Sequence, residues 1–234
     1  MITRALSSDN IDLNRPIAHM VHRDPSAIGH SDSCLRAAGG FSIKMKFWWY
    51  IEWPECIQKR TLRYIKNNKN NRLISINLLE YAALLIEYVA ATHYYRNGGT
   101  DDSDPYPTVL LYADNTTAEA WAKMKSCKTS LAGRALGRLQ CALMINNHVG
   151  ISIGHVTTKD NVIADRISRI KKETNTLPDF EKLTQDFPQL TSCRRFHPSA
   201  ELVSAITAIL LQEKSFDPLE ARDSILKELG QNTI

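Results

Sequence analysis

The chain has 234 residues, 43% of them hydrophobic and 23% charged, with a formal net charge of +4, the balance of a soluble globular chain rather than a disordered or fibrous one. No run of eighteen apolar residues occurs, and the start, MITRALSSDNIDLN, lacks an apolar signal core, so an intracellular protein with no membrane span is expected. The five cysteines are spread out and form no C-x-x-C pair, which argues against a zinc site or a disulfide framework and for free thiols. Charge is uneven: residues 1–172 hold 23 Lys and Arg against 15 Asp and Glu, and residues 173–234 hold 6 against 10, which makes the first part the candidate binder of a polyanion.

Three strands come first. AIGHSDS from Ala27 reads as one, and GGFSIKMKFWWYIEWP, rich in β-branched and aromatic residues and closed by Pro54, reads as one or two antiparallel strands. ECIQKRTLRYIKNNKNNR then reads as a short basic segment projecting from the body. From Asn77, a candidate N-cap, Leu79, Ala83, Ile86 and Ala90 recur on one helical face to about Tyr95. NGGTDDSDPYP is a loop, and TVLLYAD is a strand buried on both faces with Asp114 at its carboxyl end.

Asn115, Thr116 and Thr117 can cap a following helix, and a second helix runs from Ser130 to about His148. GISIGHV reads as another buried strand, and Asp160 and Asn161 open a helix, NVIADRISRI, that ends at Lys171 and Lys172. Beyond it, LPDFEKLTQDFPQL looks like an extended linker, and PSAELVSAITAILLQ and DPLEARDSILKEL like two amphipathic helices. The expected organisation is an N-terminal extension over 1–25, a main domain over 26–172, and a linker with a helical appendage over 173–234.

Four acidic residues occupy places that a fold could bring together: Asp32 on the first strand, Glu80 one turn into the first helix, Asp114 ending the central strand and Asp165 in the last helix of the main domain. In mostly parallel sheets ligands bind outside the carboxyl ends of the strands, where Asp114 lies. Two carboxylates about 4 Å apart repel by roughly 4 kcal/mol at an effective dielectric near 20, so a cluster of four calls for a cation. An all-oxygen donor set points to Mg²⁺ or Mn²⁺, and two such ions suit phosphodiester hydrolysis. Taken singly, Asp114 can equally be a helix cap, Glu80 part of a solvated face, and Asp165 a partner for Arg166 or Arg169.

HSDSCLRAAGGFS, INLLEYAALL, LLYADNTTAEAW and GHVTTKDNVIADRISR, in that order, resemble the four blocks of the ribonuclease H family, most closely the versions in retrotransposon polyproteins. The resemblance covers about residues 26–170. It implies an α/β fold with an RNase H-like five-stranded mixed sheet, three antiparallel strands then two parallel, flanked by helices. It also implies that Asp32, Glu80, Asp114 and Asp165 ligate two Mg²⁺ or Mn²⁺ ions, that Glu80 positions the attacking water, and that His155 helps proton transfer or product release. The implied substrate is the RNA strand of an RNA/DNA hybrid, and the implied partner an upstream reverse transcriptase domain or subunit.

Two basic stripes are candidates to track the phosphates: Lys123, Lys125, Lys128, Arg134 and Arg138 after Asp114, and Lys59, Arg60, Arg63 and Lys66 in the projecting segment. Lys44, Lys46 and Trp48 or Trp49 could add contacts, although core packing is the favoured role for the run Phe47 to Trp53. Two rival readings stay open: a catalytically weak or inactive interaction module of the same fold, and a related nuclease acting on another nucleic acid.

Overall fold

A computed structural model describes residues 24–67, 74–97, 107–127, 130–147, 149–170 and 180–212. The Asn-rich turn after Asn67, most of the loop over 98–106, Lys128, the Lys171-Lys172 pair, and the expected helix DPLEARDSILKEL lie outside the described residues, as does nearly all of the N-terminal extension.

Three strands, β1 (Ala27–Ser33), β2 (Ala37–Ser42) and β3 (Phe47–Glu52), form an antiparallel meander. Helices α1 (Glu55–Asn67) and α2 (Ile76–Asn97) follow, then β4 (Thr108–Ala113), α3 (Thr116–Met124), α4 (Leu131–Asn147), β5 (Gly150–His155) and α5 (Val162–Ser168). After these come α6 (Phe180–Asp186), a 3-10 turn over Pro188–Leu190, β6 (Arg194–Phe196) and α7 (Ala200–Leu211). Among the described residues the sheet has six strands in the order β5-β4-β1-β2-β3-β6, with β4 parallel to β1, β5 parallel to β4, and β6 parallel to β3. The chain is therefore an α/β fold with a six-stranded mixed sheet flanked by helices.

Four expectations are corrected. The sheet has a sixth strand, because the stretch expected as linker and appendage folds back: α6 replaces extended chain, β6 pairs with the outer edge of β3, and α7 buries Leu202, Ala205, Ile206, Ile209 and Leu210 in the main core. ECIQKRTLRYIKN does not project. It is a helix whose Ile57 and Thr61 are fully buried and whose Arg60 donates through Nη1 to the Leu211 carbonyl of α7 at 3.1 Å. Strand β5 is an edge strand with only Ile153 buried, and β4 alternates, with Val109, Leu111 and Ala113 inward. Finally, α2 begins at Ile76, so Ser75 rather than Asn77 caps it, its Oγ accepting from Leu78 N–H at 3.3 Å.

Helix α2 is the axis of the molecule. Every residue from Leu78 to Thr92 is buried, so the apolar face legible in the sequence widens to the whole circumference: the sheet lies on one side and α3, α4 and α7 on the others. The opposite face of the sheet carries α5, with Phe41, Trp48, Tyr50, Ala164, Ile167, Leu183 and Leu190 forming a second apolar layer. Adjacent glycines on β2 admit the two layers. A Cβ on Gly39 would lie 2.4 Å from Ile167 of α5, and one on Gly40 would lie 2.3 Å from Glu87 of α2. The same pair of residues thus fixes how closely each helix approaches its face of the sheet.

No helix among the described residues is long and apolar enough to cross a membrane.

Candidate metal centre

Asp32, Glu80 and Asp114 come from three distant segments, and local structure brings each to the same end of the sheet. Asp32 is the penultimate residue of β1 and pairs in register with Gly39. Because Gly39 lets α5 in, Ser168 reaches Asp32 and donates from Oγ to Oδ2. Asp114 follows β4 directly. The next residue, Asn115, caps α3 through Oδ1, which accepts from Thr117 and Ala118 N–H at 3.1 and 3.0 Å. The Asn115 amide also donates to Oδ1 of Asn77 in the first turn of α2 at 3.0 Å. That bond ties the start of α2 to the start of α3 and sets Glu80, one turn along, beside Asp114.

Each of the three acids offers an oxygen within 4.8 Å of the others. Burial sets their electrostatics. Glu80 is 4% exposed, its Oε2 has no hydrogen-bond partner, and burial first and Asp32 and Asp114 next push its carboxyl well above the ordinary range. Asp32 is pushed up to about 6, chiefly by burial and less by Asp114 and Asp165, against the pull of Ser168. Folding alone gives no reason to concentrate such groups, and a buried carboxylate oxygen without a donor is a costly feature unless a cation completes it. The donors are all hard oxygens, so the trio fits a divalent cation. It could hold a metal ion.

Asp165 is placed differently. It lies close enough to raise Asp32, but its Oδ1 accepts from Nε and Nη2 of Arg169, both at 2.6 Å, so the ion-pair alternative open in the sequence is the one adopted. Asn161 positions this helix without capping it: its side chain is buried and donates from Nδ2 to the Ser31 carbonyl at 3.1 Å, pinning the start of α5 to β1. His155 ends β5 opposite Ala113, the residue before Asp114, and its Nδ1 lies 3.6 Å from Oε2 of Glu119.

The basic residues divide. Arg134 and Arg138 are exposed one turn apart on α4, whereas Lys123 pairs with Glu119 at 2.6 Å and Lys125 is the half-buried, left-handed C-cap of α3. On α1, Arg63 and Lys66 are exposed, Lys59 pairs with Glu55 at 2.7 Å, and Arg60 is spent on the Leu211 carbonyl. The tryptophans pack: Trp49 is fully buried against Glu87, and Trp48 is buried under the Arg195 guanidinium, 5.2 Å from the ring centroid. Lys44 and Lys46 are exposed at the β2–β3 turn.

Residues that the sequence reading missed are Ser168, Glu119 and the Asn77–Asn115 bridge. Arg169, four residues after Asp165 and so on the same helical face, was already one of the two partners the sequence offered Asp165. No family model matches the chain, and no curated protein or solved structure matches it closely enough to identify a relative.

Proposed function

We propose that the chain is a metal-dependent nuclease of the ribonuclease H type, cutting the RNA strand of RNA/DNA hybrids as part of, or derived from, a retroelement and working beside a reverse transcriptase. The observation that carries the reading is the convergence of Asp32, Glu80 and Asp114, with the orphaned, buried Oε2 of Glu80 among them. The strand order supports it: an antiparallel β3-β2-β1 followed by parallel β4 and β5 is the arrangement the sequence resemblance implies, with β6 added at the far edge.

Asp32, Glu80 and Asp114 would hold a first Mg²⁺ or Mn²⁺, and Asp165 would help hold a second. When bound, such ions supply Lewis acidity and a water of lowered pKa. Glu80, deepest in the cluster, orients the attacking water. Asp32 must be ionised to take part, and Ser168 favours that state by donating to Oδ2. His155, turned toward Glu119, hands a proton to the departing 3′ oxygen. Arg134 and Arg138 meet phosphates outside the cluster. The hybrid is distinguished by 2′-hydroxyls on one strand only, displayed in a wide minor groove.

The test is cleavage of a labelled RNA/DNA hybrid with Mg²⁺ or Mn²⁺, beside double-stranded RNA, double-stranded DNA and single strands. Hybrid-only cutting that Asp114→Asn abolishes is the expected result. A folded, metal-bound chain that leaves the hybrid intact would overturn it.

A further inference from the structure

Arg169 lies at the edge of the acidic cluster with its side chain 62% exposed, yet both Nε and Nη2 are turned inward onto one oxygen of Asp165 at 2.6 Å. The guanidinium is also close enough to Asp32 for each to stabilise the charge of the other. Asp32, Glu80 and Asp114 draw together, while Asp165 stands outside their group, held by a cation that the chain itself supplies. The cluster therefore divides into a compact three-carboxylate position, completed on its inner side by the partnerless Oε2 of Glu80, and an outer position already neutralised.

We propose that Arg169 is a resident counter-cation for the second metal position, and that a phosphodiester displaces it. The inference rests on the metal reading above and deepens it. While Arg169 holds Asp165, a second divalent ion must compete with a positive charge for the same carboxylate, so only the inner position fills. Guanidinium binds phosphate oxygens through two parallel N–H donors at least as well as it binds a carboxylate. A nucleic-acid backbone arriving at the exposed Arg169 side chain takes the guanidinium, frees Asp165, and lets the second ion enter. Arg169 is thus a positioning residue: it acts through Asp165, and it couples completion of the two-ion site to the presence of a phosphodiester.

Stoichiometry tests this without turnover. Mn²⁺ is titrated calorimetrically into the full chain, alone and with a hybrid whose RNA strand is 2′-O-methylated and so is not cut. Wild type should bind one ion alone and two with the hybrid. Arg169→Gln should bind the second ion without nucleic acid, on the order of tenfold tighter than wild type does, and Asp165→Asn should keep only the first. Circular dichroism checks that the variants fold as wild type does. Unchanged second-ion affinity in Arg169→Gln, or two ions in wild type without the hybrid, overturns the inference while leaving the metal reading standing. No ion bound to wild type under any condition overturns both.

Discussion

The indole N–H of Trp49, on β3, donates to Oε2 of Glu87, on α2, in the space that Gly29 and Gly40 leave on the two strands between them. Glu87 lies two helical turns beyond Glu80 on the same helix, in the buried interior and outside the acidic trio. It is fully buried, and burial pushes its carboxyl well above the ordinary range. A group whose folded pKa exceeds its unfolded value gives stability that is complete below the unfolded pKa and is lost as pH rises toward the folded one. Glu87→Gln keeps an oxygen for Trp49 and has no proton to lose. The variant should melt above wild type at pH 8 and no higher than wild type at pH 4. A shift of about 2–4 °C is expected for each kcal/mol involved. Parallel Tm curves for the two proteins across that range would rule out the buried proton.

The same pocket makes Gly40 sensitive. A Cβ there would lie 2.3 Å from Oε2 of Glu87, 2.6 Å from Nε1 of Trp49 and 2.7 Å from the His30 carbonyl oxygen. The carboxyl could yield, but the backbone oxygen belongs to the neighbouring strand and cannot. Gly40→Ala should destabilise by about 1–3 kcal/mol, read as a lower urea midpoint with an unchanged slope.

Ser168 should tune the pH dependence of metal binding. Asp32, raised to about 6 mainly by burial, must lose its proton to bind a cation, so Mn²⁺ affinity should climb as pH rises through that value, and keep climbing above it as the more deeply shifted Glu80 gives up its own proton. The Ser168 hydroxyl favours the ionised form. Removing one hydrogen bond to a charged group shifts a pKa by on the order of one unit, so Ser168→Ala should move the affinity profile to higher pH by that amount. Calorimetric titrations at several pH values check it, and coincident profiles would show that the hydroxyl does not set the charge on Asp32.

What was legible in the sequence follows from range. Strands β1 to β5 and helices α2 to α5 carry local signals: alternation, caps, breakers. Asp32, Glu80 and Asp114 stood at the ends of those elements, where position alone suggested convergence. The misses have physical causes. Segment Glu55–Asn67 is rich in basic residues and polar on average, and its burial depends on Ile57, Thr61 and a docking bond to Leu211, over a hundred residues away. Strand β6 is three residues long and exists because the edge of β3 offers it partners, a tertiary fact that no three-residue pattern announces. Asp165 is expected at the cluster from the family resemblance, but its pairing with Arg169 in preference to Arg166 depends on how α5 sits, and Arg166 turns instead to Asp186 at 3.5 Å.

The division of the basic residues gives a further prediction. Arg134 and Arg138 are exposed and pair with no acid among the described residues, whereas Arg60 is committed to the Leu211 carbonyl. Neutralising Arg134 and Arg138 together should weaken hybrid binding and lower the steepness of its salt dependence by about two units. Arg60→Gln should leave that slope unchanged and instead lower Tm. Filter binding at a series of salt concentrations separates the outcomes, and an equal loss of slope for Arg60→Gln would restore the α1 stripe as a binding face.

Residues 180–212 offer the sharpest test of how the chain is divided. In an independent appendage, Ile206 would belong to a small satellite core, and truncating it would melt that part alone. Ile206 is instead fully buried in the same cluster as Leu79, Leu84 and Ile86 of α2, and β6 lies on the sheet beside Phe47 and Trp49. Removing buried atoms from a shared core destabilises everything that core supports. Ile206→Ala should therefore lower the stability of the whole described unit by about 2–5 kcal/mol, a large part of the 5–15 kcal/mol typical of a domain. Denaturation followed by Trp fluorescence, which reports Trp49 and Trp53 in the sheet region, should shift together with helical circular dichroism. A fluorescence transition unmoved by Ile206→Ala would return residues beyond Lys172 to a separate unit.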